Sequence, residues 1–400
     1  MFASLVILAT TASIALAQTG SPLWGQCGGV SDFSGALTCA QGACTVSNAY
    51  YSQCLPATTT ASPTTTVTST HITTTTTSSV GSSPSNLPAS FKWSSSAALF
   101  GPHDDSMDLA ALKDPSIVFY NGAYHVFCST AKESGYSLVY LTFTDFNAAN
   151  SSTYYYLDQT PIGNGYAAAP QVFFFAPQNT WYLIYQNGNS AYSTNPDITN
   201  PAGWTTGTNF YTSEPSIVAE NIGAGFWVDM WVICDTANCH LFSEDDNGHV
   251  YRSDTSLANF PNGMSQPVIA LSDPNPDNLF EASNVYKVGN LFLLIVECIG
   301  TDGRRYFRSW TSTSLTGTWS TYAATMTNPF AGATNVAFTG TPWTDDISHG
   351  EMIRTNVDQT MTISPCNMRY LYQGISPSAT GDYNALPWRI GLLTATNSPC

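Results

Sequence analysis

Asp114, Asp229 and Glu281 are the residues of this chain best placed to do chemistry together. Each stands at the start of an apolar run: DPSIVFY from Asp114, DMWVICD from Asp229 and EASNVYKV from Glu281. Like charges brought close disfavour mutual ionisation, so three carboxylates at one point persist where the charge is used. Such a trio is the equipment of glycoside hydrolysis. One carboxylate serves as base or nucleophile, one protonated carboxyl as acid, and a third orients and tunes. Singly, each has an ordinary explanation: Asp-Pro often starts a turn, and a lone carboxylate is usually solvated. Their common position in the pattern is what joins them. Metal hydrolysis finds little support, because no H-E-x-x-H occurs and the six histidines are scattered. An esterase elbow of the form G-x-S-x-G is missing too.

The elements that would position the trio form a repeat. DPSIVFYNGAYHVFCST begins at Asp114, APQVFFFAPQNTWYLIYQ at Ala169, and VDMWVICDTANCHLFSEDDNGHVYRS at Val228. EASNVYKVGNLFLLIVECI begins at Glu281, and HGEMIRTNVDQTMTISPCNMRYLYQG at His349. Each unit has a small or acidic start, a short apolar strand, a turn such as NG or GN, and a second apolar strand. The starts lie roughly 50–70 residues apart, room for a four-stranded sheet each time. Long 3.6-period segments are missing, so the fold class is all-β, and five units predict a five-bladed β-propeller. A sandwich of irregular hairpins is the alternative. In a propeller the first strand of each blade lines the central channel, and the three carboxylates would begin three of the five inner strands.

The segments LKDPS, FWVDMWVICD, LFEASNVYKV, DISHGE and GDYNALPWR resemble glycoside hydrolase family 62, the α-L-arabinofuranosidases that act on arabinoxylan. The resemblance runs over residues 91–392 and implies a five-bladed propeller with an inverting mechanism. By motif it implies Asp114 as the general base that activates water and Glu281 as the general acid. Asp229 would position the arabinose and raise the acid's pKa. Lys113, Tyr383 and Asn384 match sugar-contacting positions. His349 matches a histidine of the channel, where related propellers hold calcium or another ion through water; no cofactor is required otherwise. Two other readings stay open: a family 43-like arabinanase or β-xylosidase, and a non-catalytic polysaccharide-binding propeller. The pair Glu297-Cys298 is similar to one in invertase-like fructosidases, but Glu297 ends a second strand and the W-x-N-D-P-N-G element is absent.

Ahead of this region the composition changes twice. Residues 1–17 are an apolar leader ending Ala15-Leu16-Ala17, a cleavage pattern that predicts secretion to an extracellular, oxidising compartment. Residues 18–55 hold Cys27, Cys39, Cys44 and Cys54 among Gly and aromatics. A patch so short cannot build its own core, so disulfides must hold it. Flat aromatics at Trp24, Tyr50 and Tyr51 suit the C–H faces of pyranose rings, with Asn48 and Gln53 beside them to hydrogen bond. The stretch WGQCGG…NAYYSQC resembles a fungal family 1 carbohydrate-binding module, which implies cellulose as a partner and the pairs Cys27–Cys44 and Cys39–Cys54. Residues 56–86 are a Thr/Ser/Pro-rich linker suited to O-glycosylation, and Asn150 in NSS is an N-glycosylation sequon. Residues 87–400 form the catalytic propeller.

Charge narrows the partners. Lys and Arg number 11 against 27 Asp and Glu, a net charge of −16, with no basic stripe to bind nucleic acid. No run beyond the leader is long and apolar enough to span a membrane. A monomer that binds arabinoxylan and cellulose is the expectation. The propeller's six cysteines, Cys128, Cys234, Cys239, Cys298, Cys366 and Cys400, permit three bridges of open pairing. A bridge at Cys400 would pin the last strand and close the ring.

Overall fold

The computed structural model describes residues 20, 26–29, 37–40, 42–48, 51–55 and 87–400. Contacts divide the chain into two units, Met1–Ser78 and Ser79–Cys400, a boundary inside the stretch read as linker.

In the first unit Tyr51–Leu55 is the middle strand of an antiparallel sheet, flanked by Gln26–Gly29 and Ala43–Asn48. Cys27 is buried and bonded to Cys44, and Cys39 is also disulfide-bonded. The side chains of Asn48, Tyr51, Gln53 and Cys54, and all of Trp24 and Tyr50, lie outside the described residues. So do the leader and the linker.

The second unit is a five-bladed propeller. Its inner strands are Ala111–Tyr120, Ala168–Phe175, Val228–Cys234, Glu281–Val288 and Ser348–Met352. They match the five repeat starts, and each touches the next around the ring. Blades 1 to 4 are four-stranded antiparallel sheets. The inner strands are continuously apolar because they are covered on both faces; Ile117, Val172, Val232 and Val285 are all fully buried.

Ring closure comes from the opposite end of the chain to the one expected. In blade 5, Arg389–Ala395 pairs with the short strand Trp93–Ser95, so the N-terminal segment supplies an outer strand. Trp93 fixes it, with its indole N–H on the carbonyl of Phe330 at 2.6 Å and its ring 5.4 Å from that of Phe330. Cys400 bonds Cys366, which precedes the Arg369–Gly374 strand of the same blade. That bridge staples blade 5 and does not close the ring. Cys234–Cys239 spans a hairpin turn. The third bridge does not form: Cys128 and Cys298 are buried free thiols.

The channel is open at one end and plugged at the other. Residues 357–363 cross its far end, where the amides of Phe174, Cys234 and Lys287 donate to the carbonyls of Val357, Gln359 and Met361 at 2.8, 2.8 and 3.1 Å. Arg354 closes the same end, with Nη2 on the carbonyl of Val172 at 2.6 Å and Nε 2.7 Å from Glu351. A ligand can therefore approach only from the mouth, where the inner strands begin.

Candidate active site

At the mouth every inner strand slips register with its neighbour at the same level. The last paired residues above the slip are Lys113 with Ser129, Ala168 with Gln186, Val228 with Glu244, Glu281 with Glu297, and Ser348 with Gln373. The next residue in four strands is left-handed: Asp114 and Ala169 at φ 50°, Asp229 and Ala282 at φ 59°. A bulge of this kind re-aims one side chain and leaves one amide without a ladder partner. A side chain of the preceding blade takes each amide. Gln373 Oε1 accepts from Asp114 at 2.7 Å, Ser129 Oγ from Ala169 at 2.8 Å, and Gln186 Oε1 from Asp229 at 2.8 Å. Asp229 Oδ2 accepts from Ala282 at 2.7 Å, and Glu297 Oε2 from His349 at 2.6 Å.

This register corrects the expectation that the three carboxylates share one position. Asp114 is the fourth residue of its strand and Asp229 the second of its own; both occupy the bulge. Glu281 is the first residue of its strand and sits one place earlier, level with Lys113. The offset leaves the two aspartates largely buried, at 7% and 8% exposure, and Glu281 more open at the rim, with 19% of its side chain exposed.

His349 lies between the aspartates, with Nδ1 3.4 Å from Asp114 Oδ1 and 3.6 Å from Asp229 Oδ2. On one side Lys113 Nζ donates to Tyr383 Oη at 3.0 Å, 4.5 Å from the centre of that ring and 5.2 Å from that of Tyr136. Tyr136 Oη in turn donates to Asn384 Oδ1 at 2.9 Å. Lys113 is thus joined to Tyr383 directly and to Asn384 by way of Tyr136. Burial alone would lower the Lys113 ammonium, but the charge of Asp114, then those of Tyr383, Tyr136 and Glu281, hold it well above the usual lysine value. Burial, with the charges of Glu281 and Asp114 added, pushes Asp229 well above the usual carboxylate range.

Several participants were not anticipated. Arg305 Nη1 stands 3.1 Å from both Glu281 Oε1 and Glu297 Oε1, its guanidinium 4.6 Å over the ring of Phe280. The adjacent pair Arg304-Arg305 in a chain with only 11 Lys and Arg was the available signal. Glu297 is structural here: fully buried, it accepts from Ser348 Oγ and the His349 amide. Gln186 supports Asp229 and passes its Nε2 to Tyr166 Oη at 2.5 Å. Asp246, left-handed at φ 53°, adds a fourth carboxylate, pushed up to about 8 by burial and by the charges of Glu281 and Asp229.

Below the aspartates lies a cavity of about 10 Å³ bordered by Asp229, His349, Gln171, Ser283, Asn284 and Glu351. Asn284 Oδ1 and Ser283 Oγ are buried there without a hydrogen-bond partner. Calcium takes six to eight oxygen ligands; this lining offers side-chain oxygens of Asp229, Gln171, Ser283, Asn284 and Glu351 and a ring nitrogen of His349. Among the described residues, the one trio of His, Cys, Asp or Glu with metal-ligand spacing is Cys27, Cys39 and Cys44, which are disulfide cysteines. The volume and the orphaned oxygens suit a single water.

Residues 92–394 match the family model described as glycosyl hydrolase family 62. The chain belongs to that family. Residues 23–51 match the fungal cellulose binding domain. The family 62 α-L-arabinofuranosidase catalytic domain of Coprinopsis cinerea is 63% identical, with a TM-score of 0.78 over 78% of this chain and all of that one. The α-L-arabinofuranosidase of Podospora anserina, solved with cellotriose, is 57% identical, with a TM-score of 0.77 over 78% of this chain and 99% of that one. α-L-Arabinofuranosidase C of Cellvibrio japonicus is 43% identical over 312 residues, 77% of this chain and 47% of the relative. The chain thus spans about half the length of that curated relative. Membership of family 62 sets aside the family 43-like reading.

The bulge clamps generate a prediction for this family 62 site. Gln186→Leu strips the acceptor from Asp229's amide, and Ser129→Ala does the same to Ala169, where no carboxylate is aimed. Both should lose about 1–3 kcal/mol of stability in urea denaturation. Only Gln186→Leu should also lose hydrolytic activity, by about 100-fold, because it misplaces a site carboxylate. Equal activity in the two variants would sink the claim that the clamps aim the site.

Proposed function

We propose that this protein is a secreted, inverting α-L-arabinofuranosidase that removes single L-arabinofuranosyl groups from the main chain of arabinoxylan. The observation that carries the reading is the meeting of Asp114, Asp229 and Glu281 around one channel mouth whose far end is plugged. On this reading the mouth takes a terminal furanose and excludes a residue with chain on both sides, so the enzyme debranches and leaves xylan uncut.

In the proposed reaction Asp114 takes a proton from a water, which attacks the anomeric carbon from the face opposite the leaving oxygen. Glu281 gives its proton to that oxygen as the bond to xylose breaks. Arg305, 3.1 Å away, meets the carboxylate that Glu281 becomes. Asp229 holds a sugar hydroxyl; its Oδ2 is already fixed by the Ala282 amide, next to Glu281. Lys113, Tyr383 and Asn384 contact the furanose. Only groups of this chain move protons, and a calcium, if held in the channel, would be reached through water from His349.

The N-terminal module would anchor the enzyme on cellulose through Trp24, Tyr50 and Tyr51, with Asn48 and Gln53 hydrogen bonding. Anchoring would raise the local concentration of enzyme at the wall without changing the pocket. Secretion rests on the leader at residues 1–17 and the disulfides; no helix among the described residues is long and apolar enough to cross a membrane. We take the working form as a monomer.

Glu281→Gln should lower turnover of arabinoxylan by about 10²–10⁴. An aryl arabinofuranoside, whose leaving group needs no proton, should be cleaved with a much smaller loss. Near-wild-type release of arabinose from the polysaccharide by this variant would remove Glu281 from the role of acid. The module is tested by sedimentation with microcrystalline cellulose. Residues 87–400 alone should stay in solution while the full chain pellets, and equal pelleting would overturn the anchor.

A further inference from the structure

Phe226 is 70% exposed, the most exposed large apolar side chain of the propeller unit among the described residues; Phe119 follows at 49%. It stands three residues before Asp229, at the mouth end of the inner strand Val228–Cys234. Its flanks hold it rigidly. Trp227 is buried, with its indole N–H on Ser243 Oγ at 2.9 Å. Gly225 lies so close to the following hairpin turn that an added Cβ would fall 2.0 Å from the carbonyl oxygen of Asp245. Asn247 of that turn donates to the carbonyl of Asn221 at 2.7 Å, tying the turn to the segment ahead of Phe226. The same turn carries Asp246, whose Cβ would lie 3.1 Å from that added Cβ on Gly225. Phe226 therefore stands on the lip of the pocket, at the head of the blade that neighbours the one Glu281 begins.

An exposed aromatic fixed from both sides has little ordering entropy left to lose on binding, which is the condition under which a flat ring makes a good platform. The group that must lie against Glu281 is the xylose carrying the arabinose, since Glu281 protonates the oxygen between them. The xylan chain then continues along the lip. A xylopyranose has no hydroxymethyl arm, so its ring presents C–H faces that stack on an aromatic. We propose that Phe226 is a stacking platform for a main-chain xylose next to the substituted one, and so sets the preference for arabinose on a xylan chain over arabinose on other leaving groups. This inference rests on the activity proposed above. Phe226 has no part in the chemical step, and its contribution falls in binding.

The test compares full-length wild type, Phe226→Ala and Phe226→Trp on two substrates. One is a xylo-oligosaccharide with arabinose on an internal xylose; the other is 4-nitrophenyl α-L-arabinofuranoside, which has no xylan. Phe226→Ala should lower the ratio of kcat/KM on the first to that on the second by about 10-fold, within the range of aromatic stacking platforms. The loss should lie in KM for the oligosaccharide, and Phe226→Trp should restore the ratio. An unchanged ratio in Phe226→Ala, or an alanine loss that tryptophan does not recover, overturns the platform while leaving the activity standing. A wild type that frees arabinose from neither substrate overturns the proposed activity and the platform with it.

Discussion

The site depends on five backbone amides at one level of the channel. A propeller's inner strands would otherwise run straight from mouth to plug, with alternate side chains packed between blades. The register slip at Asp114, Ala169, Asp229, Ala282 and His349 turns side chains toward the axis, and each slip leaves a buried amide that must find an acceptor. The acceptor comes from the preceding blade every time. Left-handed backbone at a non-glycine residue costs about 1–3 kcal/mol, so these amide clamps hold the strands in a conformation that local sequence alone would not keep. They also lock each blade to the next, and the geometry of the carboxylates is inherited from the packing of the ring.

One clamp is built differently, and it is the one beside Glu281. In blades 1, 2, 4 and 5 the clamping side chain sits on the second strand: Ser129, Gln186, Glu297 and Gln373. The equivalent in blade 3 is Glu244, fully buried, and the donors nearest its carboxyl, the Ser283 hydroxyl and amide, fall short of hydrogen-bond geometry. Burial first, then the charge of Asp229, pushes Glu244 well above the usual range. Asp229 has taken its duty by capturing the Ala282 amide itself. Asp229 thereby connects pocket and scaffold directly, and the strand that begins with Glu281 is positioned by another site carboxylate. The two groups cannot be moved independently.

Much of the fold was legible in the sequence because the signal repeats. Apolar strand, tight turn, apolar strand recurs five times, and each start falls at or within three residues of an inner strand. The trio was legible because carboxylates are conspicuous in a chain this poor in charge. The one-residue offset of Glu281 was not, because a bulge is set by register with a partner strand and by a clamp from another blade, and neither is local. Asp114 and Asp229 tolerate left-handed backbone, whereas Ala169 and Ala282 give no such hint. Closure by Trp93–Ser95 was hidden for a related reason: three residues carry no periodicity, and their partner lies about 300 residues away. Arg305 and Gln186 act across strands and are ordinary residues until the blades assemble.

The most direct measurement is proton NMR of the arabinose released in the first turnovers on arabinoxylan, before mutarotation. A water activated by Asp114 and attacking opposite a leaving group protonated by Glu281 must give β-L-arabinofuranose first, with the α form appearing later. Early appearance of the α-anomer would mean two displacements through a covalent intermediate, and would contradict the roles given to Asp114 and Glu281.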